Sequence, residues 1–506
     1  MTAVAVIACL VGAGLAGMRW LRVAQREHYL PGSTIRFALR WWLGAGFNRL
    51  LLFGVLVNLV LTAAFAPFAV LVALGVGVGP FGLRLKGVAP GPLAWTRRMR
   101  TLAGVWGLLT VAPAAIGLGL GSVVPAAVLA VLSPAVVDVA LAITRPIERR
   151  LGMPFVERAT TKLKSVSPLV LAITGSYGKT STKGYVAHLV EGTRSVVPTP
   201  RSYNNSAGIA RAVNEHLTLG TEVFIAEMGT YGPGEIADLC SWVRPTVSAI
   251  TAIGPVHLER MRDEQTIVRA KSEIFATAEV AVLNVDDPWL APLVPDLAAQ
   301  GKRVVRCSST DTAADVSACV EGDELVVRQA GHVIARASGL DVPPTNVAVA
   351  VALALEAGAP PDAIAKRLAT LPVAANRLAV TTGMSGAKVL DDTFNSNPAG
   401  AEVALRTLGR MADGAGRIVV VTPGMIELGA RQVEENRRFG ERAASVATDV
   451  VVVGATNRRA LVDGATGGAA RVVAVEGMDA ARQWVKENVG PGDVVLYENH
   501  LPDHFP

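Results

Sequence analysis

Between Leu50 and Leu83 the chain runs for 34 residues without a charged side chain, and between Thr101 and Val137 it does so again for 37. Each run exceeds the ~20 apolar residues that cross a bilayer as one helix. Uncharged stretches of that length are costly to keep soluble in a water-exposed fold. Pro67, within AAFAPFAV, divides the first run, and the glycines and proline of GLGLGSVVP turn the second back. Arg84, Lys86, Arg97, Arg98 and Arg100 stand between the runs, and Arg145, Arg149 and Arg150 follow the second. Positive charge prefers the cytoplasmic face. Each run is therefore expected to enter and leave on that face as a hairpin, with everything after Arg145 in the cytoplasm. The halves of the first hairpin are short, which leaves a re-entrant pair or one tilted helix open. Residues 3–18 form a further apolar stretch, followed by Arg19, Arg22 and Arg26. No basic segment precedes it, so it reads as a first helix with its N-terminus outside rather than as a signal peptide. Residues 1–150 are thus expected to supply about four to five apolar helical segments, multi-pass in the cell membrane, with the lipid bilayer as partner.

Charge follows the same division. Residues 1–150 hold 14 Lys and Arg against 3 Asp and Glu, a net of +11, while the remaining 356 hold 34 against 39, a net of −5. The basic excess therefore belongs to the apolar third and reads as membrane-flanking charge. No basic stripe with stacking aromatics is present, which argues against a nucleic-acid partner. The four cysteines, Cys9, Cys240, Cys307 and Cys319, form no C-x-x-C pair. That argues against a structural zinc site and a disulfide framework, and suits buried thiols in a reducing compartment.

From Pro168 the pattern changes to short β-type runs alternating with helical stretches. LVLAITG, EVFIAEMG, VSAITAIG and VAVLNVDD read as strands and KTSTKGYVAHLV as a helix. This is the signature of a parallel α/β sheet covered by helices. Gly175, Ser176, Gly178, Lys179, Thr180 and Ser181 fall where the first strand meets that helix. Glycines let backbone N–H groups approach phosphate oxygens, and the helix N-terminus adds positive potential. Lys179 would neutralise the outer phosphates of a nucleotide, and the Thr180 hydroxyl would reach Mg²⁺. The spacing is two residues shorter than in the usual P-loop, since Ile173 stands where its first glycine would be. From about residue 376 a second α/β unit begins, with RIVVVTP, DVVVVG, RVVAVEG and GDVVLYEN as buried strands. The chain is therefore divided into a membrane region (1–150), a linker (151–165), a P-loop ATP-binding domain (166–375) and a C-terminal Rossmann-like α/β domain (376–506).

Further motifs follow the glycine-rich turn: SYNNSAGIA with Asn204 and Asn205, IAEMGTYGPGEI with Glu227, AIGPVHLER with His257, RAKSEIF with Lys271, LNVDDP with Asn284, PPTNVAVAVALA with Asn346, LDDTFNSNPAG with Asp392 and Asn395, and GMIELGARQ with Glu427. Singly each has an ordinary reading. Asn204 and Asn205 suit helix caps, Lys271 beside Arg269 and Glu273 suits a solvated charged face, and a lone His257 is commonly just a satisfied polar residue. In this order, over roughly residues 166–500, they resemble the Mur ligase family of ATP-dependent amide-bond ligases. The last two motifs are most similar to the branch that adds D-alanyl-D-alanine to UDP-muramoyl-tripeptide. The resemblance implies ATP and Mg²⁺ as cofactors. It implies nucleotide contacts from the P-loop, Asn284 and Asp392, with Lys179, His257, Lys271 and Arg377 catalytic and Arg377 approaching the γ-phosphate. It implies metal binding by Thr180, Glu227, His257 and Lys271, the last as a carbamate, and substrate contacts from Asn204, Asn205 and Asn395.

Three features depart from that branch. Membrane segments occupy the place of its soluble UDP-gripping domain, Phe394 stands where it has Tyr, and the chain ends YENHLPDHFP. The nucleotide chemistry is kept while acceptor recognition has changed. The expectation is a membrane-anchored ligase that phosphorylates an acceptor carboxylate and joins it to the amine of an amino acid or dipeptide. The acceptor would be membrane-associated or an envelope precursor. A poly-γ-glutamate or capsule-type ligase is one alternative, and a non-catalytic ATP-binding sensor or transporter component is another.

Overall fold

The computed structural model describes residues 1–44, 46–85, 93–340, 342–372, 379–383, 385–393, 396–412, 416–502 and 504–505. The chain divides into two compact units: Met1–Gly152 with Gly454–Thr456 and His500–Pro506, and Met153–Val453 with Asn457–Asn499.

The first unit is helical. Its elements are α1 (Thr2–Arg26), α2 (Ser33–Gly44), α3 (Gly46–Thr62), α4 (Phe68–Val78), α5 (Arg97–Gly119), α6 (Val124–Val131) and the start of α7 (Ser133–Val166). The first uncharged run breaks between α3 and α4 beside Pro67, and the second between α5 and α6 across Leu120–Val123. Small residues bring the helices together. A Cβ on Gly12 of α1 would lie 2.5 Å from the Ala73 carbonyl of α4, and one on Gly75 of α4 would lie 2.4 Å from the Val55 side chain of α3. Leu50, Phe53, Val60, Leu108, Ile116 and Leu120 remain exposed. By length and composition α1 and α5 are the two described helices able to cross a membrane, or up to four spans result if each of two bent helix pairs counts as one. The sequence expectation is about four to five apolar segments; of the helices here, α4 has 11 residues and α6 has 8, too short to cross a bilayer singly. The stretch 151–165, expected as a linker, is the second half of the 34-residue helix α7. The last residues belong to the helical unit for a physical reason. His504 and Phe505 stack on Phe37 with ring centroids 4.8 and 4.9 Å away, and the Trp41 indole donates to the His504 carbonyl at 2.9 Å.

In the second unit the described residues form a nine-stranded and a six-stranded sheet. The first comprises β1 (Leu169–Thr174), β2 (Val196–Pro198), β3 (Val223–Glu227), β4 (Val247–Ile250), β5 (Val280–Asn284), β6 (Arg303–Ser308), β7 (Val316–Glu321), β8 (Glu324–Gln329) and β9 (His332–Ser338), in the order β2-β3-β1-β4-β5-β6-β7-β8-β9. It is parallel through β7. A parallel sheet is covered on both faces, so its strands are apolar throughout. Successive side chains of β1 show this: Leu171 and Ile173 enter one core with Val186 and Leu189, and Val170 and Ala172 enter the other with Ile209 and Phe224. The antiparallel strands β8 and β9 go beyond the expected parallel sheet. Their hairpin turns through Ala330 (φ +47°) and Gly331 (φ +78°), the two positive φ values that a tight two-residue hairpin loop needs.

The second sheet comprises β10 (Ala379–Thr382), β11 (Lys388–Asp392), β12 (Ile418–Thr422), β13 (Asp449–Val453), β14 (Arg471–Val475) and β15 (Val494–Glu498), in the order β10-β11-β15-β12-β13-β14. All pairings but β10–β11 are parallel. Val420, Val450 and Leu496 face one core, and Val419, Val451 and Val495 the other.

Candidate active site

In an open parallel sheet, ligands bind beyond the carboxyl ends of the strands where the strand order reverses. Here the chain fills β2 and β3 on one side of β1 and then crosses to β4 on the other. The loops after β1, β3, β4 and β5 carry the polar residues that the motifs singled out.

The loop after β1 is held open by two glycines. Gly175 has φ +155° and Gly178 φ +79°. A Cβ on Gly175 would lie 2.0 Å from the Thr251 hydroxyl, and one on Gly178 2.4 Å from the Asn346 side-chain oxygen. The loop backbone is therefore packed against β4's end and helix Pro344–Glu356, with no room for side chains. The Ser176 N–H donates to the Ala252 carbonyl at 2.7 Å and its hydroxyl to the Gly254 carbonyl at 3.2 Å. The Tyr177 ring lies over Gly254, where a Cβ would fall 2.3 Å from its hydroxyl oxygen.

Helix α8 (Lys179–Val190) starts immediately after Gly178, so residues 179, 180 and 183 share one face of its first turns. Lys179 Nζ donates to the Gly175 carbonyl at 2.5 Å and to that of Ser176 at 3.3 Å. The Thr180 hydroxyl donates to both oxygens of Glu227, at 3.2 and 3.1 Å. Lys183 Nζ lies 2.9 Å from Glu227 Oε2, with both side chains buried. Ser181, next on the helix, is buried. Glu227 ends β3 and also accepts from the Asn204 amide at 3.4 Å. Burial pushes its carboxyl up, but Lys183, Lys179 and the Thr180 hydroxyl outweigh that, and the group lies below its ordinary value. Lys183 was not among the residues singled out in sequence. Its position four residues after Lys179 on a helix was the available signal.

Lys271, whose neighbours Arg269 and Glu273 alone would suit a charged surface, is 2% exposed. Its Nζ donates to the Gly175 carbonyl at 3.0 Å, the same oxygen that Lys179 holds. Burial, and then the nearby Lys179 charge, push its amine well below the ordinary lysine value. Burial of that kind favours the uncharged form of an amine.

His257 turns elsewhere. At φ +57° it precedes helix Leu258–Met261, and its Nδ1 pairs with Glu427, itself at φ +64°. The Leu258 N–H donates to the Glu427 carbonyl at 2.9 Å, and Arg260 reaches the same carboxylate at 3.4 Å. His257 and Glu427 thus join the loop after β4 to the loop after β12. Asn205 caps helix Ser206–His216, its side chain accepting from the Gly208 N–H at 2.9 Å. Asn284 is buried and braces the loop after β4 through the Thr251 carbonyl at 3.1 Å. Asp392 ends β11, and its carbonyl accepts from the Asn499 N–H at 3.1 Å. Arg377 and Asn395 lie outside the described residues.

Comparison with known proteins decides the family. The Mur ligase middle domain matches residues 173–337, and the Mur ligase glutamate ligase domain residues 376–497. The UDP-N-acetylmuramoyl-tripeptide–D-alanyl-D-alanine ligase of Mycobacterium leprae is 34% identical over 364 residues, 65% of this chain and 70% of that protein. This chain belongs to the Mur ligase family. Solved structures share the fold: MurF from Acinetobacter baumannii at a TM-score of 0.59 and 23% identity, covering 69% of this chain and 77% of that one, and the Thermotoga maritima MurF ligase in complex with ADP at 0.55 and 24%, covering 68% and 79%.

The protein is accordingly an ATP-dependent amide-bond ligase that uses Mg²⁺. Its residues fit both. The glycine loop leads directly into the N-terminus of α8 at Lys179, a position where anions bind. Thr180 and Glu227 offer hard oxygens at one point, and Mg²⁺ is held by one or two such ligands with water and phosphate completing its shell. Among the described residues no three His, Cys, Asp or Glu converge on a common ion position. Of the ligands that the resemblance implies, Thr180 and Glu227 meet directly, Lys271 contacts Gly175, and His257 pairs with Glu427.

Proposed function

We propose that this Mur ligase is held in the cytoplasmic membrane by residues 1–150 and extends an envelope precursor by one amide bond. The observation that carries the reading is the convergence of Lys179 and Lys271 on the Gly175 carbonyl, beside the Thr180–Glu227–Lys183 cluster. Three lysine amines around one glycine-rich loop set hydrogen-bond donors where a nucleotide's phosphates would lie. In this account ATP is a substrate, and an acceptor carboxylate takes its γ-phosphoryl group to become an acyl phosphate. The amine of an amino acid or dipeptide then attacks the acyl carbon, phosphate leaves, and the amide remains. The protein's contribution is positioning and charge neutralisation. Lys179 and Lys183 supply fixed positive charge. Thr180 and Glu227 would hold Mg²⁺, which neutralises phosphate charge when bound. Lys271, buried with its amine pushed below the ordinary lysine value, would add CO₂ through its uncharged form to give a carbamate, forming an N–C bond and releasing a proton, and so convert a competitor of the metal into an oxygen ligand.

The acceptor side follows the relatives, which are UDP-N-acetylmuramoyl-tripeptide–D-alanyl-D-alanine ligases by name. The dipeptide is therefore the first amine to offer, and a muramoyl peptide the first acceptor. The apolar outward faces of α3 and α5 support a membrane location, with the acceptor held at the same surface. The test is an ADP-release screen of the purified full chain. UDP-muramoyl-tripeptide or its lipid-linked counterpart would be the acceptor, with D-alanyl-D-alanine, D-alanine or glutamate as amine, and products would be identified by mass. Amide formation with D-alanyl-D-alanine supports the reading. Turnover with glutamate alone would move the protein to a polyglutamate-type ligase, and ATP hydrolysis with no amide from any pair would refute a ligase role.

A further inference from the structure

Beside the end of α4 lies a cavity that the ligase chemistry does not use. Arg19 of α1 reaches it. Its Nε donates to the Leu83 carbonyl at 3.1 Å, and its terminal nitrogens to the carbonyls of Gly77 at 2.8 Å, Val78 at 3.4 Å and Leu15 at 3.4 Å. All four partners are neutral, and among the described residues no carboxylate pairs with Arg19 or with Arg84. The guanidinium is thus fixed in place with its charge uncompensated. Together with Arg84 it lines a cavity of about 510 Å³ whose other walls include Val78, Phe81 and Leu83. One residue earlier on α4, Val76 walls a second, apolar cavity of about 230 Å³ with Leu39, Trp42 and Leu52. Trp42 lies against Gly79, where a Cβ would fall 2.3 Å from its ring, so the two cavities flank the same few residues.

A cation held against hydrocarbon without a counter-ion is costly, and the counter-ion that a bilayer offers is the phosphate of an anionic lipid. We propose that this is a lipid site: the Arg19–Arg84 cavity binds the phosphate of an anionic phospholipid, and one acyl chain lies along the apolar cavity at Trp42. The proposal rests on the reading of residues 1–150 as membrane-embedded.

The full chain is reconstituted into nanodiscs of equal parts phosphatidylglycerol and phosphatidylcholine, released, and weighed by native mass spectrometry. Wild type should retain phosphatidylglycerol over phosphatidylcholine by about thirtyfold, two basic residues each contributing as they do at an anionic surface. Arg19→Gln should lose most of the preference. Arg19 also ties α4 to its following turn, so Arg84→Gln is the second variant; it is exposed and should lower the preference several-fold with the fold intact. Equal retention of the two lipids by wild type, or an unchanged preference in Arg84→Gln, would overturn the proposal. So would displacement of the lipid by inorganic phosphate, which would mark a free-anion site. Failure to enter nanodiscs at all would instead refute the membrane reading on which the proposal rests.

Discussion

Replacing Lys183 by Met tests the site at its most buried charge. The Lys183–Glu227 pair is 2.9 Å apart, with side chains 7% and 3% exposed. Removing one partner of a buried pair leaves the other charge uncompensated and typically costs about 3–5 kcal/mol. The Thr180 hydroxyl, the Asn204 amide and Lys179 stay near Glu227, so a loss of about 3 kcal/mol, at the lower end of that range, is expected near neutral pH. The pH dependence gives a sharper check. In the wild type the Glu227 carboxyl lies below its ordinary 4.5. Its contribution is therefore present above that value and lost as pH falls through the folded value. Without Lys183 the largest influence, burial, acts with less opposition and raises the carboxyl instead. The variant then loses stability as pH rises above 4.5, where the wild-type contribution is flat. The gap between the two proteins should widen from acid toward neutral pH in urea titrations. Lys183→Met combined with Glu227→Gln should close most of it, because the buried charge is gone. A Lys183→Met protein within about 0.5 kcal/mol of wild type, or a loss independent of pH, would refute the reasoning.

Four further outcomes are expected. Lys179→Ala should abolish ADP release while leaving the circular dichroism spectrum unchanged; near-normal release would sink the phosphate role. Lys271→Ala should lower turnover strongly and nucleotide binding much less, with acetate but not a primary amine partly restoring activity; rescue by amines alone would mean that Lys271 acts as a cation. Glu498 is fully buried, accepts from the Thr422 hydroxyl at 2.9 Å, and is pushed up to about 8, first by burial and then by Asp392. Its contribution is full below its ordinary 4.5 and falls as pH rises toward about 8, so Glu498→Gln should flatten that part of the stability–pH curve, and an unchanged slope would contradict the assignment. Reporters fused after Arg150 and between Arg97 and Arg100 should read cytoplasmic and an N-terminal tag external; an external reading between Arg97 and Arg100 would make Leu50–Leu83 a single span.

What the sequence made legible and what it hid follow from range. Strands such as IVVVT and DVVVV announce themselves because a parallel strand is apolar on both faces, and β12 and β13 lie where those runs stand. The turn at Gly175–Gly178 was readable because glycine alone tolerates its φ values against Thr251 and Asn346. Lys271 is not legible from its neighbours: Arg269 and Glu273 alone suggest a solvated face, whereas the fold buries Nζ on a carbonyl 96 residues away. His257 was read toward a metal, and its partner Glu427 lies 170 residues on, in the other α/β domain. The terminal HLPDHFP was assigned to the C-terminal domain by position alone. Its aromatic residues pack on Phe37 and Trp41, a pairing that no local pattern in either segment encodes.

The central claim is that ATP cleavage here makes an amide through an acyl phosphate. It is tested most directly by following oxygen. The purified chain in a bilayer is given ATP, Mg²⁺, D-alanyl-D-alanine and isolated envelope precursors whose carboxylates carry ¹⁸O. The account predicts ADP, ¹⁸O-labelled phosphate and an amide product in equal amounts, with all three lost in Lys179→Ala. ADP release from the full precursor pool with unlabelled phosphate and no amide would contradict it.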